Sequence, residues 1–379
     1  TGLVGWGECY AASVSPKAMA HVIADVFGRH MQNEHPENIE KMFRRVYSSG
    51  FTQRPDLTVM GAFSGLEIAC WDILGKHRNR PVWALLGGKM NDRIRAYTYL
   101  YPLPHHDPVA FWTSPEMAAE SATDCVQRGY TAVKFDPAGP YTLRGGHMPA
   151  QSDITLSVAF CKAIRGAIGD QADLLFGTHG QFSTAGAIRL GQALEPYSPL
   201  WFEEPVPPDN LLEFRKIAKA VRIPVAAGER LTTKAEFATL LQTGGAEILQ
   251  PALGRAGGLW ETKKIAAIAE VFNAQLAPHL YAGPVEWAAN IQLAVSTPNL
   301  LMAETIETPF HSALICNALC VENGYITAPE TPGLGIQVDE ALARAHPYHG
   351  SGLHLEMQED PCNYQSGNAF LGGAPPAQQ

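Results

Sequence analysis

"ADLLFGTHGQF", residues 172–182, is an apolar run that closes on a glycine, a threonine and a histidine, His179. Two runs of the same make follow, "LWFEEP" (200–205) and "IPVAAGE" (223–229), and both close on glutamates. Others close at Lys134 ("TAVKFD"), Ala252 ("EILQPA"), His279 ("QLAPH") and Glu304 ("LMAET"). From Gly177 onward the ends are spaced by 26, 26, 23, 27 and 25 residues. Between them lie stretches with apolar residues at helical spacing, such as "DITLSVAFCKAIRGAIG" and "LWETKKIAAIAEVFNA". Strand and helix alternating at this period mark βαβ units and a parallel sheet. With "RIRAYTYL" (93–100) as the first strand there are eight units, which predicts a closed (β/α)8 barrel over residues 91–320.

The flanks break the period. Residues 1–90 combine a strand-like opening, "TGLVGWGECY", with helices, and 321–379 return to turn-rich sequence such as "ENGYITAPETPGLGIQVDE". Together they predict one α+β capping domain built from both chain ends. In "SGLEIACWDILGK" (64–76), Leu66, Ala69, Cys70, Ile73 and Leu74 form one helical stripe, expected to face the core. The opening has no initiator Met and reads as the second strand of a hairpin, so further residues are expected upstream.

Composition narrows the function. The 379 residues are 46% hydrophobic and 17% charged, enough for a large core. A net charge of −9 argues against nucleic acid or an anionic membrane as partner, but not against a small acidic substrate met through a cation. Cys9, Cys70, Cys125, Cys161, Cys316, Cys320 and Cys362 are scattered without a CxxC pair, which suits a reduced cytoplasmic setting; Cys316 and Cys320 read as core thiols. No signal peptide is visible, and no apolar stretch is expected to reach membrane-spanning length.

Barrel enzymes work at the C-terminal ends of their strands. Lys134, Asp136, His179, Glu203, Glu229, His279 and Glu304 all fall there. Glutamates aimed together would repel and one would protonate, unless a hard divalent cation such as Mg²⁺ takes their oxygens. The long stretch 137–153 holds Tyr141, Arg144 and His147, candidates for a base or a carboxylate clamp, with a surface excursion or an oligomer contact as the plainer reading.

The chain resembles the mandelate racemase and muconate lactonising group of the enolase superfamily, and within it the acid-sugar dehydratases of the galactonate dehydratase type. The residues that carry the likeness are "VGWGECY" (4–10), "SGLEIACWDILGK", "LLGGK" (85–89), "FEEPVPPDN" (202–210), "IPVAAGERL" (223–231), "ILQPALGRAGGLWETKKIA" (248–266), "LAPHLYAGP" (276–284) and "PGLGIQVDE" (332–340). The resemblance implies Mg²⁺-assisted removal of the proton α to a carboxylate, followed by loss of the β-hydroxyl to give a 2-keto-3-deoxy acid. Glu203 and Glu229 match the metal ligands of the fourth and fifth strands. The third ligand position falls on Gly177, and Asp136 is its expected substitute. Direct ligation by His179, which would favour Mn²⁺ or Zn²⁺, and the loss of a tight cation site are the alternatives. His179 matches the dehydratase acid, Lys134 the first lysine of the second-strand pair, His279 the seventh-strand histidine and Glu304 the eighth-strand carboxylate at the substrate. The aspartate that normally orients the seventh-strand histidine falls on Ala252, so His279 is expected to be a weaker base.

A sugar-acid lyase is thus the leading expectation. A racemase or cycloisomerase on a related carboxylate, or a silent relative that binds a sugar acid without turnover, are the alternatives. A cytoplasmic homo-oligomer, from dimer to octamer, is expected by family habit.

Overall fold

The computed structural model describes residues 2–350 apart from 12–13, 50, 52, 137–141 and 143–144. Among them the strands are β1 (Arg93–Tyr99), β2 (Ala132–Phe135), β3 (Asp173–Gly177), β4 (Trp201–Glu203), β5 (Val225–Ala227), β6 (Ile248–Leu249), β7 (Gln275–Leu276), β8 (Ala303–Thr305) and β9 (Tyr325–Thr327). The first eight follow the hydrogen-bonded order β7-β6-β5-β4-β3-β2-β1-β8, with β9 paired to β1 off that path. Leu276 of β7 also bridges in parallel to Leu300, three residues before β8. Sheet neighbours are sequence neighbours and the last strand meets the first. This is the (β/α)8 barrel that the 25-residue period predicts.

Helices follow the strands because polar caps start them. Ser114, Ser183 and Asn210 each accept a backbone N–H in the first turn of Pro115–Gln127, Thr184–Leu194 and Leu211–Ala220. Gly169 closes Gln151–Ile168 at φ 53°, a value that costs a side chain-free residue little.

The chain divides into two compact units. One comprises Thr1–Ala96, Gly228–Thr239 and Leu249–Ser351; the other contains Tyr97–Ala227 and Leu240–Ile248. We call them unit 1 and unit 2.

Unit 2 holds the ladder from the end of β1 through β5. Its register sets Tyr99 opposite Lys134, Lys134 opposite Leu175, Leu175 opposite Trp201 and Gly177 opposite Glu203.

Unit 1 contains the apolar helix Leu57–Arg78. At 22 residues it is long and apolar enough to cross a membrane, against the expectation that no stretch would be. It is a core helix here, with Met60, Phe63, Ile68, Trp71 and Leu74 buried. The expected stripe is only partly right: Leu74 is buried, while Leu66, Ala69, Cys70 and Ile73 are half-buried. Two carboxylates take the buried face instead. Glu67 accepts from Leu259 and Trp260 N–H (2.8 and 2.9 Å) and from Trp71 Nε1 (2.7 Å), which caps the helix Gly258–Val271. Asp72 accepts from Trp6 and Leu334 N–H, both at 2.9 Å, and from Lys76 Nζ at 2.7 Å.

The opening residues 2–11 form no strand. They run against this helix instead: a Cβ added at Gly7 would lie 1.8 Å from the Gly65 carbonyl oxygen, so only glycine permits the approach. Cys316 and Cys320 are exposed, not core thiols, because the helix Pro309–Leu314 ends before them. Cys362 lies outside the described residues.

Candidate active site

In unit 2 the ends of β1 to β4 place polar groups side by side. Lys134 and Glu203 are both buried, and Lys134 Nζ donates to Glu203 Oε1 at 2.5 Å. Trp201, two residues before Glu203 and so on the same face of β4, donates from Nε1 to Oε2 at 3.0 Å. The Lys134 ammonium also sits 4.8 Å over the Tyr99 ring. Gly177 explains how these fit. A Cβ there would lie 3.1 Å from Tyr99 Oη and 3.3 Å from Lys134 Cε. The room a third-strand carboxylate needs is taken by the tyrosine hydroxyl and the lysine arm.

Two residues further, His179 stands at φ 51°, in the left-handed region where histidine, like asparagine and aspartate, is enriched among the non-glycine residues. The segment around it is tied down. Thr178 donates from N and Oγ1 to the Glu203 carbonyl (3.2 and 2.9 Å), and Gly180 N–H donates to the Glu204 carbonyl at 2.6 Å. His179 Nδ1 lies 2.7 Å from Asp136 Oδ2. Asp136, expected as the substitute metal ligand, therefore has a histidine on its carboxylate.

In unit 1, Glu229 follows β5 by two residues and is held by its neighbours. Arg230 Nη1 lies 2.7 Å from Glu229 Oε1, and His279 Nε2 lies 3.2 Å from Oε2. Arg255 donates to the Glu229 carbonyl at 3.0 Å and stacks 4.1 Å over Tyr10. Burial lowers the Arg255 pKa and raises that of Tyr10. Glu304 is buried, and its Oε2 accepts the Leu280 N–H at 2.7 Å. Ala252 is buried, and its methyl group offers no acceptor to the His279 ring.

Sequence reading missed Arg230, Arg255, Tyr10, Tyr99 and Trp201. The signal was present for Trp201 and Arg230, two residues before and one after the named glutamates. The loop after β1 holds a further group the sequence reading passed over: His105 and His106 each place Nε2 2.9 Å from an oxygen of Glu120. His106 Nδ1 accepts the Leu103 N–H, so its proton is on Nε2 and points at Glu120 rather than leaving a lone pair for a metal. Of the long loop, Tyr141 and Arg144 lie outside the described residues. His147 packs its ring on Phe182 at 5.5 Å, and burial lowers its pKa.

Residues 1–87 match the mandelate racemase / muconate lactonizing enzyme N-terminal domain, and residues 116–342 match the enolase C-terminal domain-like model. The chain is 34% identical over 353 residues to D-gluconate/D-galactonate dehydratase of Picrophilus torridus, across 92% of this chain and 86% of that protein. It is 32% identical to D-galactonate dehydratase of Ralstonia nicotianae, across 90% and 87%. The crystal structure of a mandelate racemase/muconate lactonizing enzyme-like protein from Roseovarius sp. TM1035 superposes with a TM-score of 0.94 at 78% identity, covering 95% of this chain and 91% of that one. Barrel, strand-end carboxylates and both domain models agree: the chain belongs to the mandelate racemase / muconate lactonizing enzyme family of the enolase superfamily.

Proposed function

We propose that the protein is a carbon–oxygen lyase that dehydrates an aldonic or aldaric acid to a 2-keto-3-deoxy acid. The observation that carries this is His179 at the end of β3, the dehydratase position, beside a buried lysine–glutamate pair on β2 and β4. The similarity to sugar-acid dehydratases over nine-tenths of the chain supports it.

Glu203 and Glu229 are buried carboxylates at consecutive strand ends, hard oxygen donors of the kind Mg²⁺ takes one or two at a time while keeping waters. On the resemblance to the family these are the residues that would hold the cation, while Asp136 is engaged by His179. When bound, such a cation lowers the barrier to forming an enediolate from a carboxylate. The protein's own groups do the rest. Lys134 brings a positive charge to Glu203 and to the carboxylate end of a substrate. Glu304, fixed by the Leu280 amide, accepts a substrate hydroxyl. His179 and His279 are available for proton transfer.

The test is a panel of aldonic and aldaric acids with Mg²⁺, read by formation of 2-keto acid. Keto acid from at least one member, lost in Lys134→Met, is expected. A wild-type protein that forms none from any member overturns the proposal.

A further inference from the structure

Elimination of water needs a base at the carbon beside the carboxylate and a proton for the departing hydroxyl. In unit 1 the expected orienting carboxylate is missing, since Ala252 stands in its place, and the His279 ring has its Nε2 on Glu229. In unit 2 the pairing missing there exists at another strand end. His179 Nδ1 and Asp136 Oδ2 are 2.7 Å apart, with the aspartate side chain 3% and the histidine side chain 19% exposed. A carboxylate on Nδ1 selects the tautomer whose proton is on Nδ1 and whose lone pair is on Nε2, and it stabilises the imidazolium once formed. The Thr178 and Gly180 bonds on either side of His179 fix the left-handed backbone that carries the ring.

We propose that His179 is the base that removes the proton beside the substrate carboxylate, with Asp136 as its positioning residue. This rests on the dehydratase reading above and deepens it. The proton on Cα passes to His179 Nε2, and its bonding pair forms the enediolate. Those electrons then make the Cα–Cβ double bond as the Cβ–O bond breaks. The departing oxygen keeps that pair, takes the proton from Nε2 and leaves as water. His179 is neutral again, and the enol tautomerises to the 2-keto-3-deoxy acid. One histidine serves both transfers from one face of the substrate, so the elimination is syn.

The test has a part that needs no substrate. In protein with ¹⁵N-labelled histidine, His179 is expected to carry its neutral-state proton on Nδ1 in the wild type and in Asp136→Glu, and to lose that preference in Asp136→Asn. With the acid found by the panel, Asp136→Asn should lower kcat by about 10³- to 10⁴-fold with little change in KM, since an amide holds the wrong tautomer. His179→Asn keeps a residue that tolerates positive φ, and should stop cleavage of the Cα–H bond while thermal melting shows it folded. A wild-type proton on Nε2, an Asp136→Asn enzyme with kcat unchanged, or Cα–H cleavage at full rate in His179→Asn would each overturn the assignment. A wild-type protein inert on the whole panel overturns the dehydratase reading and the catalytic role together, while the Nδ1 signal still decides whether the pair exists.

Discussion

Replacing Gly177 by alanine asks whether the third-strand position is closed to any side chain. Gly177 ends β3 in ordinary strand backbone, so alanine suits the main chain, and the lost freedom of the unfolded state would stabilise by about 0.4–1 kcal/mol. Against this stands the new methyl group, 3.1 Å from Tyr99 Oη and 3.3 Å from Lys134 Cε. Overpacking of that kind costs about 1–3 kcal/mol, so the net should be a loss of about 0.5–2 kcal/mol. Tyr99→Phe removes the nearer atom and leaves only the flexible lysine arm. In that background Gly177→Ala should be close to neutral, a coupling of about 1 kcal/mol between the two sites. Urea unfolding midpoints of the wild type, both single variants and the double variant would measure it, provided the slopes agree. Equal cost in both backgrounds, or stabilisation by Gly177→Ala alone, would refute the explanation of the missing carboxylate.

Other consequences follow from the same contacts. Lys134→Met takes the ammonium from a buried carboxylate and should destabilise by about 3–5 kcal/mol, whereas Lys134→Met combined with Glu203→Gln should recover part of the loss in the same unfolding assay. Isothermal calorimetry should show a divalent cation bound by the wild type and lost in Glu203→Gln and in Glu229→Gln, but kept in Asp136→Asn. Glu286 is pushed up to about 8 by burial, partly offset by the Gly254 amide and reinforced by nearby Glu8. A carboxyl raised in the folded state contributes stability below its unfolded value that is lost as pH rises. Stability should therefore fall between about pH 4.5 and pH 8, and Glu286→Gln should flatten that slope in unfolding curves recorded at several pH values.

The barrel was legible because a parallel sheet buried on both faces leaves short apolar runs, and helices between them impose a nearly constant spacing. The ends of those runs were legible for the same reason, which is why Lys134, His179, Glu203, Glu229, His279 and Glu304 could be named from spacing alone. What the spacing hid was partnership. Asp136 stands two residues beyond Lys134 on the same strand face, and nothing in the sequence says that it meets the ring of His179. The buried face of the helix Leu57–Arg78 was misread because Glu67 and Asp72 are polar by type, yet lie inside through backbone amides that only folding brings to them. The opening segment was read as a strand from its apolar residues, while its glycines serve a close approach to a helix that alternation cannot reveal.

The most direct test of the proposed chemistry is proton NMR of a sugar acid incubated with the protein in D2O. Dehydration predicts a product with a keto carbon at C2 and one deuterium in the new methylene at C3. Deuterium at C2 with the β-hydroxyl retained would mean racemisation instead. A substrate unchanged across the panel, with Cα protons intact, would contradict the lyase assignment.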